Sequence, residues 1–291
     1  MNRPIVALIY DFDKTLSPKD MQEYGFLPGI GIEPDTFWGL CRDFAENHQT
    51  DGVLAHMYMM QHKARGRMLL TQKTLGALGA QIEFFPGVES WFSRVNAMGD
   101  GLGMDVEHYI ISSGLKEIID GTAIAKHFKA VFAASFVYDE DGVAIWPATA
   151  INYTSKTQYL FRINKGILDV TNDRDLNGFT PEHARRVPFT NMIYVGDGLT
   201  DVPCMKMTRQ KGGRSIAVYQ DDSSIADSLL IQNRADFALS ADYSEGSEME
   251  RTVLATMRRI RAKLDCDALH YQQLEAAQHR PAPEKKDVYD E

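Results

Sequence analysis

Runs of consecutive apolar residues recur along the chain, and polar or glycine residues begin where each run stops. Four such runs lie at residues 4–10, 108–111, 191–195 and 215–219. They are short and rich in β-branched residues, which is typical of strands buried on both faces of a parallel sheet. The polar residues that follow them therefore mark the ends of predicted strands.

Helical spacing of apolar residues fills the intervals between these strands. The predicted helices cover residues 88–98, 116–126, 156–165 and 199–207, and a further helix is predicted over 247–263. Strands that alternate with helices indicate an α/β fold with a doubly wound, Rossmann-like parallel sheet. In such sheets ligands bind outside the carboxyl ends of the strands. The polar residues after the strands are thus expected to converge on one site.

Residues 17–82 interrupt this alternation with three helical patterns, which begin near Asp35, Asp51 and Met68. Because the interruption directly follows the first strand, we predict a small helical domain inserted into the sheet domain. The predicted division is 1–16 and 83–265 for the α/β core, 17–82 for the helical insert and 266–291 for a C-terminal extension. The end of that extension is rich in proline and charge, so we expect it to be mobile.

Composition narrows the classes of function. The 291 residues carry a formal net charge of −9, which argues against nucleic acid as a partner, although a locally positive site can still bind a small anion. The three cysteines are far apart and form no CxxC pair, so neither a zinc site nor a disulfide framework is indicated. No apolar run reaches the length of a membrane span. We expect a cytoplasmic protein that does not bind membranes; nothing in the sequence sets its oligomeric state.

Two clusters of carboxylates lie at predicted strand ends. Asp11 and Asp13 follow the first strand, and Asp197 and Asp201 follow the third. An isolated pair such as Asp11 and Asp13 is usually a turn or cap. Close carboxylates are otherwise costly unless a cation lies between them or they share the work of nucleophile and acid. Mg²⁺ prefers such carboxylates together with phosphate oxygens.

Two further residues fit an anion site at the same edge. Ser112 follows the second strand, where its hydroxyl and the N–H groups of the next helix could hold an anion, or it could simply cap that helix. Lys156 begins a predicted helix and could place a positive charge against phosphate, although a lone lysine is more often a solvated surface residue.

These elements, in this order, resemble the four motifs of the haloacid dehalogenase (HAD) superfamily. The segment 11–16 matches its DxDxT motif and a following apolar residue, Ser112 its serine, Lys156 its lysine, and 196–201 its GDxxxD motif. The resemblance extends over residues 5–240, and the helical insert is similar to the cap domain of many members. Within the superfamily, Ser112-Ser113-Gly114 resembles the Ser-Gly-Gly segment of the phosphoserine-phosphatase subgroup, with one departure.

The resemblance implies a role for each matching carboxylate. Asp11 would attack phosphorus and form an aspartyl-phosphate, and Asp13 would protonate the leaving alcohol and later activate water. Mg²⁺ would be bound by Asp11, the backbone carbonyl of Asp13 and Asp197, with Asp201 in support. Members that cleave carbon–halogen bonds lack the acid, so Asp13 disfavours that reaction.

The resemblance also implies phosphate-binding and specificity residues. Thr15, Ser112 and Lys156 would hold the phosphoryl group, and Asp20 and Arg67 are candidates for contacts to the amine and carboxylate of a phosphoserine-like substrate. The expected function is that of a Mg²⁺-dependent phosphatase acting on a small phosphorylated metabolite. A phosphomutase or phosphotransferase remains an alternative, as does a non-catalytic phosphate-binding regulator.

Overall fold

A seven-stranded sheet forms the centre of the molecule, whose computed structural model describes residues 3–280. Its strands are β1 (Ile5–Tyr10), β2 (Asp105–Leu115), β3 (Phe128–Tyr138), β4 (Ala144–Thr149), β5 (Met192–Gly196), β6 (Arg214–Tyr219) and β7 (Phe237–Ser240). Their order is β4-β3-β2-β1-β5-β6-β7, and every neighbouring pair is parallel except the β3–β4 hairpin. The predicted doubly wound α/β sheet is confirmed. The terminal part of the predicted mobile extension, residues 281–291, lies outside the described residues.

Eleven α-helices accompany the sheet within residues 3–280. They are α1 (Phe26–Ile30), α2 (Pro34–His48), α3 (Gly52–Ala64), α4 (Gln72–Gly79), α5 (Val88–Gly101), α6 (Lys116–Asp120), α7 (Thr157–Lys165), α8 (Asp173–Asn177), α9 (Val202–Gln210), α10 (Ser224–Ile231) and α11 (Glu248–Gln278). The helix predicted over 116–126 was too long, and the one predicted over 247–263 was too short. In the described part of the chain, no helix combines the length and apolarity needed to cross a membrane.

Side chains of β1 alternate between two hydrophobic cores. Val6, Leu8 and Tyr10 point into one core, which α5 and α11 cover. Ala7 and Ile9 point into the other, which α7, α9 and α10 cover. Successive side chains of a strand face opposite sides, so a wholly apolar β1 needs helices on both faces. The apolar run that predicted this strand is therefore explained by its central position.

The strand order reverses at β1, which has β2 on one side and β5 on the other. Such a reversal leaves a crevice at the carboxyl ends of the strands, and ligands bind there in open α/β sheets. Asp11 directly follows β1, and its backbone N–H donates to the carbonyl of Val195 in β5 at 2.9 Å. The first and last motifs of the sequence are therefore held together at this crevice.

Helices α1–α4 share one hydrophobic cluster with the sheet. Buried side chains such as Phe37, Met57 and Leu75 belong to the same hydrophobic cluster as the strand residue Leu8. Between α4 and α6 the backbones approach closely, because a Cβ on Gly121 would lie only 1.8 Å from the carbonyl oxygen of Gly76. At the start of α3 the carboxylate of Asp51 caps the helix and faces the crevice.

Candidate active site

Asp11 lies at the centre of the crevice and is held at both carboxylate oxygens. Its Oδ1 accepts a hydrogen bond from the Phe12 N–H at 2.8 Å, and its Oδ2 lies 3.1 Å from Nζ of Lys156. The residue is only 6% exposed. The carboxylate is therefore fixed in orientation beside a positive charge, as a positioned nucleophile requires.

Lys156 is fully buried, unlike a typical surface lysine. Its Nζ donates to Oδ1 of Asp201 at 2.8 Å, and the hydroxyl of Tyr194 donates to the same oxygen at 2.7 Å. Burial alone would lower the pKa of Lys156, but the carboxylates of Asp11 and Asp201 outweigh it and raise the pKa above its ordinary value. Lys156 therefore carries a permanent positive charge inside the site.

Three carboxylates meet at this point. Asp11, Asp197 and Asp201 each offer an oxygen, and these oxygens lie within 4.8 Å of one another. Burial and the neighbouring Asp201 raise the pKa of Asp11 to about 7, and burial together with Asp201 and Asp11 raises that of Asp197 to about 8. A cation would relieve this repulsion. Hard carboxylate oxygens at this spacing fit Mg²⁺, with Asp201 largely occupied by Lys156 and Tyr194.

Asp13 faces the crevice from the loop after β1. The N–H of Met21 donates to its Oδ1 at 2.8 Å, and a Cβ on Gly114 would lie 3.0 Å from its Oδ2. The surrounding protein removes water from the carboxyl group, and Asp20 and Asp11 repel a negative charge there, so the pKa of Asp13 is well above its usual range. A carboxyl group whose pKa is raised holds more readily the proton that a general acid donates.

Ser112 and Thr15 are both buried, Ser112 in β2 beside β1 and Thr15 in the loop after β1. Ser112 lies within β2 rather than at a helix N-cap, and its Oγ accepts from the N–H of Gly114 at 3.0 Å. The helix-capping alternative for Ser112 was therefore wrong, because the strand continues to Leu115. Thr15 is fully buried, its carbonyl accepts from the hydroxyl of Tyr243, and its own hydroxyl has no partner in the described part of the chain.

The two candidate specificity residues lie in different places. Asp20 lines a cavity beside Asp13 and is ion-paired with Lys14 at 2.8 Å. Arg67 is exposed, donates to the carbonyl of Ile30 at 2.6 Å and lines a separate groove beside the β3–β4 hairpin. The structure therefore brings Asp20 to the crevice and leaves Arg67 out of this cavity.

Sequence reasoning missed several residues that the fold brings to the site. Tyr194 was an apolar strand position in the sequence, yet its hydroxyl bonds Asp201. Gln22 and His56 line the cavity beside Asp13 and carried no motif. Gly196 was predicted only as part of the GDxxxD motif, but a Cβ at this position would lie 2.6 Å from Cγ of Asp201. The glycine spacing was the one usable signal among these.

Known proteins were compared with this chain in sequence and in structure. No protein-family model matches the chain. An uncharacterized protein of Borreliella burgdorferi is 26% identical over 278 residues, which cover 86% of this chain and 95% of that protein.

Two solved structures are similar in fold. The probable phosphoserine phosphatase of Vibrio cholerae aligns with a TM-score of 0.55 at 12% identity, covering 90% of this chain and 67% of its own. A HAD family hydrolase of Salmonella enterica serovar Typhi aligns with a TM-score of 0.51 at 16% identity, covering 81% and 68%. At such identities the likeness concerns architecture. Together with the strand order and the crevice, it shows that this chain has the α/β fold of the HAD hydrolases.

Proposed function

We propose that this protein is a Mg²⁺-dependent phosphatase that hydrolyses a small phosphomonoester through an aspartyl-phosphate on Asp11. The observation that carries the proposal is the arrangement around Asp11. Its carboxylate is ion-paired with the buried Lys156 at 3.1 Å, and an oxygen of Asp197 and one of Asp201 lie within 4.8 Å. The fold, shared with a HAD hydrolase, supports the same reading.

Asp11 would act as the nucleophile. The ion pair with Lys156 favours its ionised form, and the N–H of Phe12 fixes the direction of the carboxylate. Asp11, Asp197 and the backbone carbonyl of Asp13 would hold Mg²⁺, which when bound neutralises the clustered carboxylates and the charge of the phosphoryl group. The phosphorus–oxygen bond to the alcohol breaks as the bond to Asp11 forms.

Asp13 would move the protons. Its raised pKa favours the protonated carboxyl group, whose proton would pass to the departing alcohol. The resulting carboxylate then accepts a proton from the water that hydrolyses the aspartyl-phosphate. Because the N–H of Met21 holds one oxygen at 2.8 Å, the other oxygen faces the leaving group and the water in turn.

Lys156, Ser112 and Thr15 would hold the phosphoryl oxygens. Lys156 offers a positive charge that Asp201 and Tyr194 keep in place. The buried hydroxyl of Thr15, which has no partner among residues 3–280, is free to donate to an oxygen. We further propose a cytoplasmic location and a small metabolite as substrate; the described cysteines, all free, fit a reducing compartment.

The test is phosphate release from p-nitrophenyl phosphate by the purified protein, with Mg²⁺ and with a chelator. Asp11→Asn should lower Mg²⁺-dependent turnover by at least about 10³-fold, because the amide cannot attack phosphorus. Asp43→Asn on the exposed face of α2 is the matched control and should leave the rate unchanged. Full turnover by Asp11→Asn would refute the assignment.

A further inference from the structure

A small cavity opens beside Asp13, between the sheet edge and helices α2 and α3. Its volume is about 230 Å³, and its wall includes Trp38, His56, Ser113 and Asn152. Pockets for drug-sized ligands are roughly 300–1,000 Å³, so this cavity suits a much smaller group. Since Asp13 is the proposed acid, the cavity lies where the alcohol part of a bound phosphomonoester would sit.

Three residues that line the cavity, Gln22, His56 and Ser113, each carry a buried side-chain atom (Oε1, Nε2 and Oγ) with no hydrogen-bond partner among residues 3–280. Gln22 is 1% exposed and His56 is 7% exposed. Buried polar groups are nearly always paired in native proteins, because leaving them unpaired is costly. Three unpaired atoms around one cavity indicate that a polar ligand completes them.

The charges around the cavity restrict that ligand. Asp13, Asp20 and Asp51 line it, and in the described part of the chain none of its lining residues is Lys or Arg. His56 adds no positive charge near neutral pH, because burial lowers its pKa to about 4. A carboxylate or second phosphate would find no cationic side chain among the described residues that line the cavity.

We propose that Gln22, His56 and Ser113 form a leaving-group subsite for a small alcohol that bears a hydroxyl or amine donor and no anionic group. The inference rests on the proposed phosphatase function and names its substrate class. The amide oxygen of Gln22 only accepts hydrogen bonds, so the ligand must donate to it. None of the described lining residues is a cation that could pair with a phosphoserine carboxylate, and Arg67 lies in another groove.

The subsite is tested by comparing kcat and KM for four phosphomonoesters. Glycerol 3-phosphate and phosphoethanolamine carry hydroxyl or ammonium donors, whereas phosphoserine and 3-phosphoglycerate also carry a carboxylate. We expect the first two to be preferred in kcat/KM by at least about tenfold, and the better of the two identifies hydroxyl or amine as the donor. Equal or better turnover of the carboxylated esters would overturn the proposal.

Substitution of His56 separates a ligand contact from a structural role. His56→Phe keeps the ring and should raise KM for the preferred ester about tenfold, with a smaller effect on p-nitrophenyl phosphate, and should be partly rescued by His56→Gln. His62→Phe, an exposed position on the same helix, is the control. An equal loss on both substrates in His56→Phe would mean that His56 only supports the fold.

Binding to the Asp11→Asn variant measures the affinity of the subsite without turnover. Calorimetric titration with glycerol 3-phosphate and with phosphoethanolamine should give, for at least one of them, a Kd that His56→Phe weakens about tenfold. If no ester is hydrolysed by the unsubstituted protein, the phosphatase function fails, whereas this titration still decides the subsite. A Kd that His56→Phe leaves unchanged would reject it.

Discussion

Asp13 combines a carboxyl group that resists ionisation with a fixed orientation, and its proposed role predicts different effects on two kinds of ester. In Asp13→Asn, esters of alkyl alcohols should turn over about 10²–10⁴-fold more slowly, because an alkoxide leaves poorly without a proton. Nitrophenolate needs no proton to leave. Rapid mixing with p-nitrophenyl phosphate should therefore show a burst of one equivalent, followed by slow hydrolysis.

Asp13→Asn could also slow the reaction without removing a proton donor, and the two effects give different kinetics. If the amide disturbed Asp11 instead of removing a proton donor, the first step would slow equally for alkyl and nitrophenyl esters. The N–H of Met21 can bond an amide oxygen as it bonds the carboxylate, so the loop should keep its shape. Equal losses for the two esters would contradict the acid role.

His108 supplies a pH-dependent part of the stability. Its Nδ1 lies 3.1 Å from the hydroxyl of Tyr10, which accepts from Trp91, and its Nε2 lies 3.1 Å from Oδ1 of Asn96. These contacts suit a neutral ring, and burial with the neighbouring His127 lowers the pKa of His108 to about 3. The unfolded chain binds a proton below about pH 6.5, so this contribution is complete above that pH and is lost as pH falls toward 3.

Urea unfolding at several pH values should isolate this effect. Between pH 7 and pH 5, the His108 contribution to the free energy of unfolding should fall by about 2 kcal/mol. Other groups titrate in the same range, so the measured quantity is the difference between the unsubstituted protein and His108→Gln, which cannot bind the proton. A difference that does not change with pH would show that the fold does not lower the pKa of His108.

At the scale of elements, local sequence patterns predicted which helices and strands exist better than where each one ends. The apolar runs predicted β1, β2, β5 and β6, because a central parallel strand must be apolar on both faces. The helix expected to run on to residue 126 ends at Asp120, since Gly121 must approach the backbone of α4. That contact joins segments far apart in sequence, and no local pattern contains it.

The same limit applies to the candidate site. Asp11, Asp13, Asp197 and Lys156 could be found because the motif spacing places them at strand ends and helix starts. Gln22 and His56 belong to the helical segment, whose position over the crevice depends on packing against the sheet. Only the folded chain therefore reveals the contacts beyond the phosphoryl group.

The turn after β5 depends on a glycine for its shape. A Cβ on Gly196 would lie 2.6 Å from Cγ of Asp201, so Gly196→Ala should displace Asp201 and with it the charge of Lys156. A misplacement of about 1 Å can cost about 10²-fold in rate, and we expect a fall in kcat of that order. Gly198→Ala is a matched control two residues away, where nothing lies within 4 Å of an added Cβ.

Steady-state kinetics and circular dichroism of both glycine variants test whether the position of Asp201 matters for turnover. Gly198→Ala should keep nearly full activity. If Gly196→Ala also kept it while remaining folded, the link from Asp201 through Lys156 to the nucleophile would not matter for turnover.

At the scale of the whole molecule, one hydrophobic cluster joins the helical segment to the sheet. Phe26 and Met60 of that segment share it with Leu8 of β1 and Val253 of α11. The crevice therefore has a packed helical wall above the carboxyl ends of the strands. This arrangement encloses the clustered carboxylates. Their state of ionisation therefore depends on the packing of the entire fold.

Because these carboxylates are enclosed, ionising them lowers the stability of the fold. Asp11 and Asp197 have raised pKa values in the fold, so their contribution to stability is present below pH 4 and is lost as pH rises toward 8. A divalent cation that binds only the folded chain reverses the loss. At about 100 times its Kd, Mg²⁺ should add about 2.7 kcal/mol, or roughly 5 °C in Tm near pH 8.

Asp197→Asn tests whether Mg²⁺ acts through this cluster. The variant loses a ligand and one repelling charge, so without metal it should melt at or above the temperature of the unsubstituted protein, while its response to Mg²⁺ largely disappears. Asp43→Asn, on the exposed face of α2, should keep the full response. Differential scanning calorimetry with Mg²⁺ and with a chelator gives both numbers. An equal Mg²⁺ shift in Asp197→Asn would place the cation elsewhere, because Asp197 is one of the two side-chain carboxylates proposed to hold it.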